Sequence, residues 1–299
     1  MWTGIELLYI LQDIRQSCPF LEDLFLAASS RVFYLAAPII IAAAFFWMGD
    51  KKQGDILGLS CISAMVFSQC MKYGIAQPRP WEIDPRIVEV PGAHAHGHSL
   101  PSGHTAMVVS SFIPAGKFCG NKLVAAVLIL LTVIIIMARL FLCVHTPLDI
   151  LVGIAIGAAA IIIVYLSMQW AYDDDRRYYM VNGVYTAFFT VIFAVSSIYW
   201  GVPMELTLGY AGFFYGMIFG KILERLYVGY EVPVLDMKRQ ALLVSLGVMI
   251  AAAILLVPYF LLPTYGMMTG GFLFMFWIFL IYPKLLKDRL IDWSFTISA

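Results

Sequence analysis

The chain has 299 residues, of which 62% are hydrophobic and 13% are charged, and its formal net charge is zero. A soluble globular chain is roughly half apolar and a quarter charged, so this composition excludes an ordinary soluble domain and predicts a surface that mostly faces lipid. The zero net charge excludes a global field that would attract nucleic acid or an acidic partner.

The first thirty residues predict an amphipathic segment that lies in the membrane interface and does not cross the bilayer. Ile5, Leu8, Leu11 and Ile14 recur every third residue, close to helical spacing. Acidic and basic residues interrupt this pattern, which is typical of interfacial helices. We therefore expect one or two interfacial helices over 1–30, and the same charges argue against a cleavable signal peptide.

Apolar runs that are long enough to cross a bilayer follow this segment. A spanning helix needs about 20 mostly apolar residues. The sequence therefore predicts an all-α fold, a polytopic membrane helix bundle of about nine transmembrane helices, in which the third and ninth are short. The predicted spans are 32–48, 56–73, 104–119, 123–142, 148–168, 182–200, 207–227, 240–262 and 268–284.

Basic residues are distributed unequally between the two sides of this arrangement. Alternate loops share a side, and most Lys and Arg residues fall on the side that holds the C-terminus. The other side carries only Arg15, Arg31, Lys72, Arg79, Arg86 and Arg139. Because basic loops favour the cytoplasm, we expect a cytoplasmic C-terminus and an external N-terminus. The short loops favour a bacterial plasma membrane.

All five histidines fall on the predicted outer side, and three of them form a His-x-His-x-His stretch. Imidazole is a common metal ligand, so His94, His96 and His98 are candidates for a metal site. Flexible Gly and Ala spacers do not fix a coordination geometry, however. A solvated or headgroup-contacting loop is the alternative that we favour.

His104 and His145 each precede or open an apolar helix. Beside His104 stand Ser102, a candidate N-cap, and Gly103, which lets the backbone approach a ligand closely. Such a helix start favours an anion such as phosphate. Asp149, four residues after His145, either caps its helix or holds one ring nitrogen so that the other can attack.

Three cations, Lys72, Arg79 and Arg139, lie at or near span ends on the same side. Ionisable groups at membrane depth are costly and usually functional, although snorkelling to lipid headgroups is an alternative for each of them. Together with two histidines and a carboxylate they suit phosphoryl transfer. The cations would offset phosphoryl charge, one histidine would attack, and the other would protonate the leaving oxygen.

At these residues the sequence resembles the type 2 phosphatidic acid phosphatase (PAP2) superfamily. The first family motif, K-x6-R-P, is matched at 72–80, and the second, P-S-G-H, at 101–104. The third, S-R-x5-H-x3-D, is matched at 138–149 except that Ala138 replaces the serine. The order and the spacing of all three motifs agree, and the resemblance covers about residues 55–165.

The resemblance implies a role for each matching residue. His145 would be the nucleophile that forms a phosphohistidine, Asp149 would orient it, and His104 would be the general acid. The other matches would bind the phosphoryl oxygens: Lys72, Arg79, Arg139, Ser102 and Gly103. The family needs no metal or other cofactor. Ala138 removes a hydroxyl, which is expected to lower phosphate affinity or to alter substrate choice.

The sequence thus predicts an interfacial segment at 1–30, a PAP2-like catalytic core at 31–170 and additional C-terminal spans at 171–299. The expected function is hydrolysis of the phosphomonoester or diphosphate of a lipid, such as polyprenyl diphosphate or phosphatidate, at the extracytoplasmic face. The expected partners are this lipid phosphate and membrane lipids, not nucleic acid.

Two other functions remain open from the sequence. A glucose-6-phosphatase branch of the superfamily has the same number and orientation of spans, so a soluble phosphate such as glucose 6-phosphate is an alternative substrate. A non-catalytic membrane transporter or scaffold is the other alternative. The full catalytic set argues against it, because such a protein would be free to lose His104 or His145.

Overall fold

The computed structural model describes residues 4–30, 32–93, 95, 97–262 and 265–288. These residues form α-helices, short π-helical turns and connecting segments, and the described part of the chain contains no strand. The all-α class expected from the sequence is therefore confirmed. The helices are α1 (Ile5–Ser17), α2 (Pro19–Ala28), α3 (Ala37–Met48), α4 (Lys51–Ile75), α5 (Pro80–Ile83), α6 (Gly103–Phe118), α7 (Lys122–Phe141), α8 (Pro147–Ala171), α9 (Asp175–Ile198), α10 (Met204–Leu223), α11 (Met237–Leu261) and α12 (Gly266–Phe276).

Among the described residues, 8 helical stretches are long and apolar enough to cross a membrane. Apolar helices of this length have no stable place in water, so the chain is a membrane protein, as expected. The predicted span at 104–119 is α6, which has only 16 residues and is buried along most of its length. The candidate spans are Pro19–Met48, Lys51–Ile83, Lys122–Phe141, Pro147–Ala171, Asp175–Ile198, Met204–Val228, Met237–Leu261 and Gly266–Asp288.

The chain divides into two compact units, which are described separately. Helices α4 and α8 each contribute residues to both of them. Unit 1 comprises Met1–Ile39, Ser60–Tyr165 and Tyr199–Gly201, and unit 2 comprises Ile40–Leu59, Leu166–Ile198 and Val202–Ala299.

In unit 1, the N-terminal helices α1 and α2 pack against α7 and the loop that precedes α6. One apolar cluster joins Leu8 and Leu11 of α1 to Leu140 of α7, and burial of such side chains contributes about 1.5–3 kcal/mol each. The Gln12 side chain also holds the loop, since it donates to the carbonyl of Arg86 at 3.1 Å. The expected N-terminal helices are thus present, and their interfacial position stays a prediction.

Close packing of α6 on α8 brings the starts of these two helices together. A Cβ atom on Gly153 would lie 2.7 Å from the carbonyl oxygen of Ser102. A Cβ atom on Gly157 would lie 2.6 Å from the carbonyl oxygen of Ala106. Only glycine permits this approach of two backbones, so the G-x-x-x-G pattern of α8 sets the distance between the segments that carry His104 and His145.

Unit 2 is built around α10 and α12, which meet along a second stripe of small residues. A Cβ atom on Gly212 or Gly216 would overlap the main chain of α12, at Met268 and Phe272 respectively. The indole of Trp47 is fully buried in this unit and donates to the carbonyl of Ile278 at 2.7 Å. The C-terminal helices therefore form a packed unit with its own core.

Candidate active site

The predicted site residues converge in unit 1, where they come from α4, α6, α7, α8 and the turns beside them. Ionisable groups are rarely buried to this degree unless they are paired or functional. His145 lies within electrostatic range of Arg79, Lys72, Arg139 and His104, which places all five in one cluster. The exposed fractions are 4% for Lys72, 3% for Arg79, 0% for Ser102, 6% for His104, 0% for Arg139, 1% for His145 and 0% for Asp149.

The carboxylate of Asp149 both caps α8 and contacts His145. Its Oδ2 atom accepts from the main-chain N–H of Thr146 at 2.7 Å, and the Thr146 hydroxyl lies 3.4 Å from the Asp149 nitrogen. The same Oδ2 lies 3.4 Å from His145 Nδ1. The two roles left open by the sequence are therefore compatible in one geometry. With the Nδ1 proton towards the carboxylate, the lone pair of Nε2 faces away from it.

Two further side chains hold Asp149, and neither was singled out from the sequence. Ser99 is fully buried and donates its hydroxyl to Oδ2 at 2.5 Å. The side-chain amide of Gln77 donates to Oδ1 at 3.4 Å, and the main-chain carbonyl of Gln77 accepts from the main-chain N–H of Ser99 at 2.8 Å. Because these bonds connect the segments before α5 and α6 to α8, they fix the position of the carboxylate that contacts His145.

The guanidinium of Arg79 is held against the turn that carries His145. Its Nη1 donates to the carbonyl of Val144 at 2.7 Å and lies 3.4 Å from His145 Nε2. Its Nε donates to the carbonyl of Gly97 at 2.9 Å. Arg79 also stands before the proline that opens α5, where the Glu82 carboxylate accepts its main-chain N–H at 2.6 Å. Proline restricts the backbone here, so the turn aims Arg79 inward.

Arg139 is fully buried and only partly satisfied by the protein. Its Nη1 donates to the carbonyl of Ala93 at 2.9 Å. Within the described residues, its Nε and Nη2 atoms have no hydrogen-bond partner. Lys72 lies within electrostatic range of Arg139 and Arg79, so three cations share a buried region. Unpaired buried donors are costly, and an anion such as phosphate would satisfy them.

His104 points its ring into the same cluster and stacks on an aromatic side chain from the N-terminal segment. The centroids of the Tyr34 and His104 rings are 3.6 Å apart, with an interplanar angle of 33°. The ring also hydrogen-bonds to the main chain of Ser29. Its Nε2 atom is buried and has no partner among the described residues. Tyr34 lies in an apolar run, where no local pattern indicates a contact with His104.

Ser102 and Gly103 form the start of α6. The Ser102 hydroxyl accepts from the main-chain N–H and the hydroxyl of Thr105, at 3.5 Å and 2.9 Å, so it is the N-cap that the sequence predicts. Its main-chain N–H donates to the carbonyl of Asp149 at 3.0 Å. A Cβ atom on Gly103 would lie 2.5 Å from the amide nitrogen of Gln69. The atom that such a Cβ would meet is the flexible end of a side chain of α4.

The electrostatics of the cluster favour a neutral His145. Burial and the positive charges of Arg79, Lys72 and Arg139 hold the pKa of His145 well below its ordinary value of 6.5. A neutral imidazole keeps the lone pair that a nucleophile needs. The cation cluster can therefore attract an anion, and it also keeps the His145 ring unprotonated.

The other residues singled out from the sequence are the three histidines of the 94–98 stretch and Ala138. The His98 ring meets Tyr73 edge-on at 5.5 Å, whereas His94 and His96 lie outside the described residues. In the described part of the chain, no three His, Cys, Asp or Glu side chains gather as a metal site. Ala138 is fully buried in an apolar cluster with Phe25 of α2, so a neighbouring helix covers the position of the motif serine.

Comparison with known proteins supports the resemblance drawn from the motifs. Residues 55–173 match the PAP2 superfamily, and this segment includes every predicted site residue. An undecaprenyl-diphosphatase of Sulfolobus acidocaldarius is 29% identical over 131 residues. The alignment covers 44% of this chain and 61% of that protein, which is less than two thirds of its length. No solved structure matches the chain.

Proposed function

We propose that this chain, whose residues 55–173 are a PAP2-superfamily segment, is an integral membrane phosphatase that hydrolyses the phosphate or diphosphate of a lipid. One observation carries the proposal: the buried cluster in which Arg139 presents two donors that have no partner among the described residues, beside Lys72, Arg79 and two histidines. Preorganised cations of this kind stabilise the charge that spreads over a phosphoryl group in its transition state.

In the first step, His145 Nε2 attacks phosphorus while Asp149 holds the ring through Nδ1. A P–N bond forms and the P–O bond to the leaving group breaks. Burial and the neighbouring cations lower the pKa of His104 in the free site, and the negative charge of a bound phosphate opposes this effect. His104 therefore takes up a proton with the substrate, and its Nε2 gives this proton to the departing oxygen, so the lipid leaves as an alcohol or as a lipid monophosphate. Lys72, Arg79 and Arg139 bind the equatorial oxygens, and the start of α6 at Ser102 and Gly103 contributes hydrogen bonds.

In the second step, water replaces the enzyme on phosphorus. The neutral His104 takes a proton from this water, the new P–O bond forms, and the P–N bond to His145 breaks. Inorganic phosphate leaves and both histidines return to their starting states. Because three fixed cations offset the phosphoryl charge, the proposed reaction proceeds without a metal ion.

The proposed substrate is a lipid, with polyprenyl diphosphate as the first candidate. A lipid substrate is supported by the 8 described helical stretches that are long and apolar enough to cross a membrane. The Sulfolobus acidocaldarius relative is named as an undecaprenyl-diphosphatase. We further propose that the active site faces the extracytoplasmic side of a bacterial plasma membrane and that the C-terminus is cytoplasmic, since basic loops favour the cytoplasm.

The test is phosphate release by the detergent-purified protein in the presence of EDTA. The panel contains polyprenyl diphosphate, phosphatidate and glucose 6-phosphate, and the His145→Ala and Arg86→Gln variants are the inactive and matched controls. We expect EDTA-resistant release from a lipid that is lost in His145→Ala and kept in Arg86→Gln. Release from glucose 6-phosphate alone would reject the lipid substrate, and equal release by His145→Ala would reject the mechanism.

A further inference from the structure

Unit 2 contains a second group of charged side chains, which the proposed reaction does not use. A pocket of about 580 Å³ lies beside the start of α4, the link between α8 and α9, and the segment after α10. Its volume falls within the range of small-ligand sites, about 300–1,000 Å³. The lining residues on which the argument rests are Lys51, Lys52, Tyr172, Asp173, Glu224 and Arg225.

The buried carboxylate of this pocket is already neutralised by the protein. Glu224 has a side chain that is 1% exposed, and its oxygens contact Lys51 Nζ at 2.7 Å and the main-chain N–H of Tyr230 at 2.6 Å. The Tyr178 hydroxyl donates to Asp55, which forms a second buried ion pair with Lys221 at 2.6 Å. Because each buried carboxylate has a buried or half-buried cation, neither opposes an incoming anion strongly.

Two other cations of the pocket are held in place by aromatic rings. The Arg225 guanidinium lies 4.3 Å from the ring centroid of Tyr178 and 5.2 Å from that of Tyr172. Lys52 Nζ lies 5.5 Å from the centroid of Tyr172. Both cationic side chains remain 22% exposed. Cation–π contacts of this kind orient a positive group without neutralising its charge.

The counterions of these two cations are exposed aspartates. Asp173 is 84% exposed and lies 3.5 Å from Lys52, while Asp175 is 70% exposed and lies 2.6 Å from Arg225. Exposed pairs are weak, with a typical value of about 0–1 kcal/mol, so a ligand that carries more charge can displace them. Of the other acidic lining residues, Asp50 caps α4 through the N–H of Gln53, and Glu231 is exposed.

We propose that this pocket is a second phosphate-binding site, in which a phosphate group replaces Asp173 and Asp175 as the counterion of Lys52 and Arg225. A guanidinium binds phosphate through two parallel hydrogen bonds, which an exposed carboxylate contact through Nε alone does not match. The phosphate group belongs either to a lipid headgroup or to free phosphate. The site is independent of the proposed reaction, since all of its residues lie in unit 2.

The test measures binding to the full-length purified protein in the Arg139→Gln background, which weakens phosphate binding at the candidate active site. Radiolabelled orthophosphate is one probe, and dihexanoyl phosphatidylglycerol, detected by native mass spectrometry, is the other. Arg225→Gln and Lys52→Gln each remove one cation. Asp175→Asn removes an exposed counterion, and Arg239→Gln removes an exposed cation that does not line the pocket.

We expect Arg225→Gln and Lys52→Gln each to lower the affinity for the bound probe about tenfold, since each removes a charge-assisted hydrogen bond. Asp175→Asn should tighten binding severalfold, an effect that a purely structural role of the aspartate would not produce, and Arg239→Gln should change nothing. Binding of orthophosphate alone identifies free phosphate, and binding of the phosphodiester identifies a lipid headgroup. No binding of either probe, binding by both cation variants as tight as that of the Arg139→Gln parent, or weaker binding by Asp175→Asn would overturn the proposal.

Discussion

Replacement of Arg139 by glutamine separates a phosphate-binding role from a structural one. Arg139 is fully buried, and its Nε and Nη2 donors lack partners among the described residues. If both donate to phosphoryl oxygens in the transition state, their loss removes two charge-assisted hydrogen bonds, each worth about 1.5–3 kcal/mol. The expected decrease in kcat/KM is therefore roughly 10²- to 10⁴-fold.

The same substitution has an unusual expected effect on stability. Removal of a buried cation beside Lys72 and Arg79 relieves repulsion and the cost of unsatisfied donors, which is about 1–3 kcal/mol for each buried group. The hydrogen bond to the carbonyl of Ala93 is lost at the same time. We expect Arg139→Gln to have a ligand-free Tm at least equal to that of the wild type. Vanadate should raise the Tm of the wild type only.

The assay combines lipid phosphatase kinetics with thermal unfolding in detergent, with and without vanadate. Arg15→Gln is the matched control, because Arg15 is 2% exposed and its Nη1 donates to the carbonyl of Phe141, outside the cluster. This control should lower the Tm and leave kcat/KM within about twofold. A lower Tm of Arg139→Gln without ligand, together with equal stabilisation of both proteins by vanadate, would refute a phosphate-binding role of Arg139.

Three further predictions concern the neighbours of the nucleophile. Because the pKa of His145 lies well below 6.5 and the ring must be neutral to attack, the acid limb of the pH profile of kcat/KM should lie below pH 6.5. Arg79→Gln removes a charge that lowers this pKa, so the acid limb should move to higher pH when both proteins are assayed on one substrate. Ser99→Ala removes a hydroxyl donor to the carboxylate of Asp149 and should lower kcat about tenfold or more, with KM little changed. Ser99→Thr keeps a hydroxyl and should be partly active. An equal loss in kcat and Tm for both variants would indicate a structural role only. Gly103→Ala places a Cβ atom 2.5 Å from the amide of Gln69, the end of a flexible side chain that can move aside, so we expect only a small loss of Tm. The double variant with Gln69→Ala should regain this loss, and a Tm that the second substitution does not restore would contradict the contact.

The residues that could not be identified from the sequence share one physical feature: each of them contacts a site residue that lies far away along the chain. Ser99 reaches Asp149 across 50 positions, and Gln77 reaches it across 72. Tyr34 reaches His104 from a different helix. A serine in a loop or a tyrosine in an apolar run has no local sequence signature. The residues next to Ser99 and Tyr34 in the sequence therefore do not indicate that these side chains contact the candidate catalytic groups.

The sequence by itself determined the helical membrane class, because the length and polarity of each apolar run are local properties, and these two properties decide whether a helix can cross a bilayer. It also determined the eight candidate site residues, whose motif spacing places cations and histidines at helix ends. Only the tertiary structure decided that these residues converge, that two donors of Arg139 have no partner in the part of the chain that is described, and that Ala138 packs under α2. Whether a buried polar atom is satisfied depends on every segment packed around it, and that packing is fixed by long-range contacts such as the approach of α6 to α8 at Gly153 and Gly157.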